Sequence, residues 1–172
     1  KKEAFECGAD QYVTKPLDVA VMERIIFQLL TLTVVFKGKK VLVIDDSLVM
    51  RTIIMKNLKL AGFHMDSIME AGSGEEAFAL LLHHPVDLIM TDWYMPNMTG
   101  LEFTKKIRAD EKLKNIPILM VSSETHKDKI IEAIKEGISD YIVKPFNAAA
   151  LQDKIKKVFA IKSAVSFRSK DR

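Results

Sequence analysis

Apolar residues along the chain gather into four short runs, each closing on a polar residue. Val41-Leu42-Val43-Ile44 precedes Asp45-Asp46, and Val86 to Met90 precedes Thr91-Asp92. Ile116 to Val121 precedes Ser122, and Tyr141-Ile142-Val143 precedes Lys144-Pro145. Runs of this length, separated by helical patterns, predict buried parallel strands. A weaker strand is expected near Met65 to Met69. Between the strands, apolar residues recur at the helical period. Val49, Ile53, Ile54 and Leu58 follow a Ser47 cap, and Gly62 closes that helix. Ser73-x-x-Glu76 is a capping box for a helix through His84, where Pro85 blocks continuation. Thr99-x-x-Glu102 starts another through about Ala109, with Leu101, Phe103 and Ile107 toward its apolar face. Thr125 is the expected cap of a helix ending at Gly137. Asn147 should cap the last helix, through about Ile161.

Five strands alternating with five helices predict an α/β fold, a doubly wound five-stranded parallel sheet with right-handed crossovers. The flavodoxin-like order 2-1-3-4-5 puts its switch point between strands one and three, where such folds bind ligands. Asp45, Asp46 and Asp92 end those two strands. Pattern and chemistry point to one rim.

The chain repeats itself once, at a spacing of 129 residues (Lys15 to Lys144). Glu3-Ala4, Gly8, Tyr12, Lys15-Pro16, Ala20 and Ile26 recur as Glu132-Ala133, Gly137, Tyr141, Lys144-Pro145, Ala149 and Ile155. That period suits a whole α/β domain. Residues 1–36 therefore read as the last strand (Gln11 to Thr14) and helix (Asp18 toward Thr33) of a truncated preceding unit. Residues 37–162 read as a complete domain, and residues 163–172 as a flexible basic tail. The apolar stretch Ile25, Ile26, Phe27, Leu29, Leu30 and Leu32 needs cover, from this chain or from a second copy in a homodimer.

Composition narrows the function. The 172 residues are 48% hydrophobic and 28% charged, as in ordinary globular proteins. No apolar stretch reaches the ~20 residues that span a bilayer, and no signal peptide is expected. The single Cys7 excludes an internal disulfide and suits a reducing, cytoplasmic setting. A net charge of +3 is too mild to argue for nucleic acid. His83-His84 read as a helix end, and the nine Met as core filler.

Three carboxylates at one rim repel each other unless a cation neutralises them. A cluster of hard oxygens suits Mg2+, which pairs with phosphate. Asp45 and Asp46 are candidate metal ligands, Asp92 a candidate ligand and nucleophile, and the Tyr94 carbonyl a further ligand. Carboxylate attack on phosphorus gives an acyl phosphate. Lys144 and a hydrogen bond from Ser122 would offset the charge on the transferring group. Singly, each has a plainer reading: Asp45 and Asp46 as helix-start acids, Asp92 as a turn residue, Ser122 as a cap, Lys144 as a solvated lysine. Their joint placement at strand ends is what favours the site.

The segments around Asp45-Asp46-Ser47, Asp87 to Gly100, Ile118 to Glu124 and Asp140 to Phe146 resemble the response-regulator receiver domain, chemotaxis type, over about residues 38 to 162. The first 30 or so residues resemble the end of a second receiver. The resemblance implies a phosphorylation switch that takes its phosphoryl group from a histidine kinase onto Asp92, in a Mg2+-dependent reaction. Ser122 would move toward the phosphoryl oxygens and Tyr141 would turn inward behind it. A downstream protein would read the changed face of helix 4, strand 5 and helix 5. The Lys144-Pro145 bond should be cis. Close members carry a small polar residue where this chain has Tyr94, so a bulky ring is expected to obstruct the hydrolytic water.

Two rival readings follow from the same residues. An aspartate-nucleophile phosphatase or phosphotransferase also forms an acyl phosphate, but needs an acid two residues after the nucleophile, where this chain has Tyr94. A degenerate receiver acting as a binding module would lack some of the chemical residues, and none is missing. The expectation is a signalling switch that catalyses only its own phosphorylation and dephosphorylation, and not an enzyme acting on other substrates.

Overall fold

Five strands, β1 (Val41–Ile44), β2 (Ile68–Ala71), β3 (Leu88–Thr91), β4 (Ile118–Ser122) and β5 (Asp140–Val143), pair in parallel in the order β2-β1-β3-β4-β5. Helices α1 (Leu48–Leu60), α2 (Gly74–His83), α3 (Gly100–Ala109), α4 (Lys127–Lys135) and α5 (Ala148–Arg168) alternate with them. The computed structural model describes residues 19, 22, 23 and 36–168. The chain divides into two compact units, residues 1–37 and 38–172. The doubly wound fold with strand order 2-1-3-4-5 is as the sequence predicts.

The strands form because their residues are apolar on both faces. Every residue of β1, β3 and β4 is buried, including Thr91 and Ser122. Burying a Val, Leu or Ile side chain contributes about 1.5–3 kcal/mol, which only helices on both sides of the sheet can supply. Phe103 and Ile107 of α3, Ile54 and Leu58 of α1, and Leu151, Ile155 and Val158 of α5 are fully buried and supply that cover.

The expected residue caps four of the five helices. Ser47 Oγ accepts from the Met50 N–H, Thr99 and Glu102 complete a capping box, and Asn147 Oδ1 accepts from the Ala150 N–H. Ser73 accepts from the Glu76 N–H, but the Glu76 carboxylate reaches the Gly72 N–H instead of closing the box. His126, not Thr125, stands at the α4 N-cap, and its side chain makes no cap hydrogen bond. The Glu124 carboxylate takes the Thr125 and His126 N–H groups instead.

Other departures have physical causes. The strand expected at Met65 to Met69 begins at Ile68, because Met65–Ser67 closes into a 3-10 turn in which Ser67 bonds the His64 carbonyl. Val49 and Ile53 point to solvent, since Ile54 and Leu58 already fill the inner face of α1. Helix α2 ends at His83, with His84 as its cap. Helix α5 continues to Arg168, so the tail drawn from residue 163 is helical in backbone through 168. The expected strand and helix over residues 1–36 fall outside the described residues, apart from Val19, Met22 and Glu23, which are helical and exposed.

Candidate functional site

The topological switch point lies between β1 and β3, and the site is built there. The Asp92 N–H donates to the Ile44 carbonyl at 2.9 Å, setting Asp92 beside Asp45 at adjacent strand ends. One carboxylate oxygen from each of Asp45, Asp46 and Asp92 lies within 4.8 Å of the others. Asp45 is buried, Asp92 half-buried and Asp46 exposed, so the cluster opens to solvent on one side.

Lys144 completes the cluster. Its Nζ stands 2.7 Å from Asp45 Oδ2 and 3.2 Å from Asp92 Oδ1. Its N–H donates to the Ser122 carbonyl at 2.8 Å, tying the ends of β4 and β5 together. The Lys144-Pro145 peptide is cis, as expected. Burial pushes the Asp92 carboxyl up, Lys144 counters, and the neighbouring Asp45 charge pushes up again, leaving Asp92 above its ordinary value. A carboxyl in that position gains from any added cation. Three hard oxygens with an open side are a donor set that fits Mg2+ and leaves room for its waters.

The loop after Asp92 is held by close packing. The Gly100 N–H donates to the Trp93 carbonyl at 2.9 Å, and a Cβ on Gly100 would lie 2.0 Å from the Asp92 carbonyl oxygen. Only a residue without a side chain lets α3 start this near Asp92. Trp93 itself is buried.

Ser122 and Tyr141 stand on neighbouring strands, and both engage the Glu124 backbone. Ser122 Oγ accepts from the Glu124 N–H at 3.3 Å. The Tyr141 hydroxyl donates to the Glu124 carbonyl at 2.6 Å, and its ring is buried, so this structure shows the ring inward. Burial above all raises the Tyr141 phenol.

Sequence reasoning missed three residues around this site. The buried Glu124 carboxylate accepts from Lys129 Nζ at 2.7 Å and from the Tyr94 hydroxyl at 2.5 Å, and also pairs with His126 Nδ1. Lys129 Nζ also reaches the Tyr94 hydroxyl at 2.8 Å. Hydrogen bonds from Lys129, Tyr94 and the His126 N–H hold Glu124 far below the usual carboxylate range, and Lys129 is raised in turn. Arg51 is the third, with its guanidinium on the Asp45 carbonyl. The available signals were an acid two residues past a strand end and an arginine one turn into α1.

Comparison with known proteins agrees with this geometry. The response regulator receiver domain model matches residues 41–156. The chain belongs to this family. It is 43% identical over 123 residues to the chemotaxis protein CheY-3 of Vibrio cholerae, covering 72% of this chain and 93% of that one. It is 44% identical over 120 residues to the chemotaxis protein CheY of Pseudomonas aeruginosa, covering 70% and 95%. Among solved structures, Vibrio cholerae CheY4 superposes with a TM-score of 0.64 at 37% identity, covering 70% of this chain and 98% of that one. A receiver domain from Clostridium thermocellum gives 0.65 at 25% identity, covering 74% and 98%. Residues 41–156 are thus a CheY-like, phospho-accepting receiver of two-component signalling.

Proposed function

We propose that Asp92 accepts the phosphoryl group from a histidine kinase, with Asp45, Asp46, Asp92 and the Tyr94 carbonyl holding Mg2+. The observation that carries this reading is the convergence of three carboxylates within 4.8 Å, with Lys144 bridging two of them. Bound Mg2+ would neutralise the carboxylates and the incoming phosphoryl oxygens. An Asp92 carboxylate oxygen forms the new bond to phosphorus. The bond from phosphorus to the donor imidazole nitrogen breaks, and that nitrogen keeps the electron pair. Lys144 stabilises the charge on the transferring oxygens, and the Ser122 hydroxyl exchanges its present partners for one of them.

The output follows from those partners. Ser122 ends β4, Tyr141 lies on β5, and Glu124 leads into α4, so a change at Ser122 is felt where α4, β5 and α5 meet. That face is where a downstream protein would read the state, through a two-state rearrangement. The domain catalyses only its own phosphorylation and dephosphorylation. A cytoplasmic role in chemotaxis or in a multi-receiver regulator fits both the relatives and the partial repeat over residues 1–36, which would pack within the chain or in a homodimer. Among the described residues no helix is long and apolar enough to cross a membrane.

The test is incubation with acetyl phosphate. A hydroxylamine-labile label that requires Mg2+ and is absent from Asp92→Asn is the expected result. Label retained in Asp92→Asn, or steady turnover of a phosphomonoester, overturns the proposal.

A further inference from the structure

We infer that Arg51 is a positioning residue for the acidic pair, holding the 45–46 peptide so that both carboxylates face the cation. This rests on the Mg2+ reading above. The Arg51 side chain is only 15% exposed, and its guanidinium spans two elements. Its NH1 nitrogen donates to the Asp45 carbonyl at 2.8 Å, and its Nε donates to Glu70 Oε2 on edge strand β2 at 2.8 Å. Asp45 is thereby fixed at four points. Its N–H bonds the Ala71 carbonyl, its Oδ1 takes the Ser47 N–H, its Oδ2 takes Lys144, and its carbonyl takes Arg51. The first three fix β1 and the Asp45 carboxylate. Among the described residues Arg51 alone holds the carbonyl that opens the peptide to Asp46, whose exposed carboxylate has no such brace of its own there.

Charge and positioning predict opposite signs here. Arg51 carries a positive charge beside a cation site, so removing it for charge alone would tighten Mg2+ binding. If it holds the peptide in place, removing it weakens binding, because groups that orient ligands typically matter roughly tenfold or more in metal affinity. A planar fork that engages two acceptors at once is also a geometry that lysine cannot reproduce.

The experiment is Mg2+ titration of the full chain, followed by calorimetry and by the fluorescence of Trp93, the only tryptophan and the neighbour of Asp92. Arg51→Met is expected to raise the Mg2+ dissociation constant roughly tenfold. Arg51→Lys, which keeps the charge, is expected to weaken binding as well. Glu70→Gln changes a solvent-facing group and leaves the Asp45 contact in place, so it should fold normally and weaken binding by a smaller factor. It decides the matter alone should Arg51→Met fail to fold. Unchanged or tighter binding in the folded variants overturns the positioning role. Absence of Mg2+ binding in the parent chain instead overturns the metal reading on which it rests.

Discussion

Replacing Gly100 with alanine should disable the acceptor while leaving the fold recognisable. The added Cβ would sit 2.0 Å from the Asp92 carbonyl oxygen and 3.0 Å from its carbon, and both are backbone atoms with no rotamer to escape into. The two chains must part by about an ångström, either by tilting α3 or by moving the 92–93 peptide. Overpacking of this kind typically costs about 1–3 kcal/mol, roughly 4–12 °C in Tm for a domain of this size. The larger effect falls on chemistry, since misplacing a reacting group by about 1 Å can slow a reaction on the order of a hundredfold. Gly74→Ala is the matched control, because its Cβ would meet the Met98 Sδ at 2.8 Å, the end of a flexible side chain that can swing aside. The assay is the rate of Trp93 fluorescence change with acetyl phosphate and Mg2+, alongside thermal unfolding. Parental rate and Tm in Gly100→Ala, or equal losses in both variants, would refute the reasoning.

Further outcomes follow from particular contacts. Tyr94→Asn should shorten the dephosphorylation half-life by removing the ring that Glu124 and Lys129 hold; an unchanged half-life removes that role. Arg108→Met should destabilise the domain by about 3 kcal/mol in urea unfolding, since its guanidinium bonds the carbonyls of Gly137, Lys114 and Ile116. Asp140 is a pH probe: burial would raise its carboxyl, but the Lys154 hydrogen bond, the Tyr141 N–H and the Lys154 and Lys157 charges outweigh this and lower it. Its contribution to stability is therefore present above the unfolded carboxyl value and lost as pH falls through the folded one. Asp140→Asn should be less stable than the parent at pH 7, with the gap closing as pH falls below the ordinary carboxylate range; a constant gap contradicts this.

The central strands were legible because β1, β3 and β4 are buried on both faces, which leaves nearly unbroken apolar runs in the sequence. Edge strand β2 was misplaced because only Ala71 of its four residues is buried, and the preceding Met65 is apolar yet lies in a turn. Helix period alone could not say which apolar stripe of α1 faces inward. Ile54 and Leu58 do, while Val49 and Ile53 share the spacing and stay in water. The placement of Asp45, Asp46, Asp92 and Lys144 at one rim was legible because strand ends are readable once strands are. Glu124, Lys129 and Arg51 were not, because their partners lie across loops and strands: Tyr94 is 30 positions from Glu124 and 35 from Lys129, and Glu70 is 19 from Arg51. Ser122 closes β4 as expected, but its bond to the Glu124 N–H depends on how the β4–α4 loop turns.

Reductive trapping of the acyl phosphate, followed by peptide mapping, tests the site most directly. Borohydride should convert residue 92 alone to homoserine, and only when phosphodonor and Mg2+ are both supplied. Conversion at another carboxylate, or equal conversion at residue 92 with the metal chelated, would contradict the account.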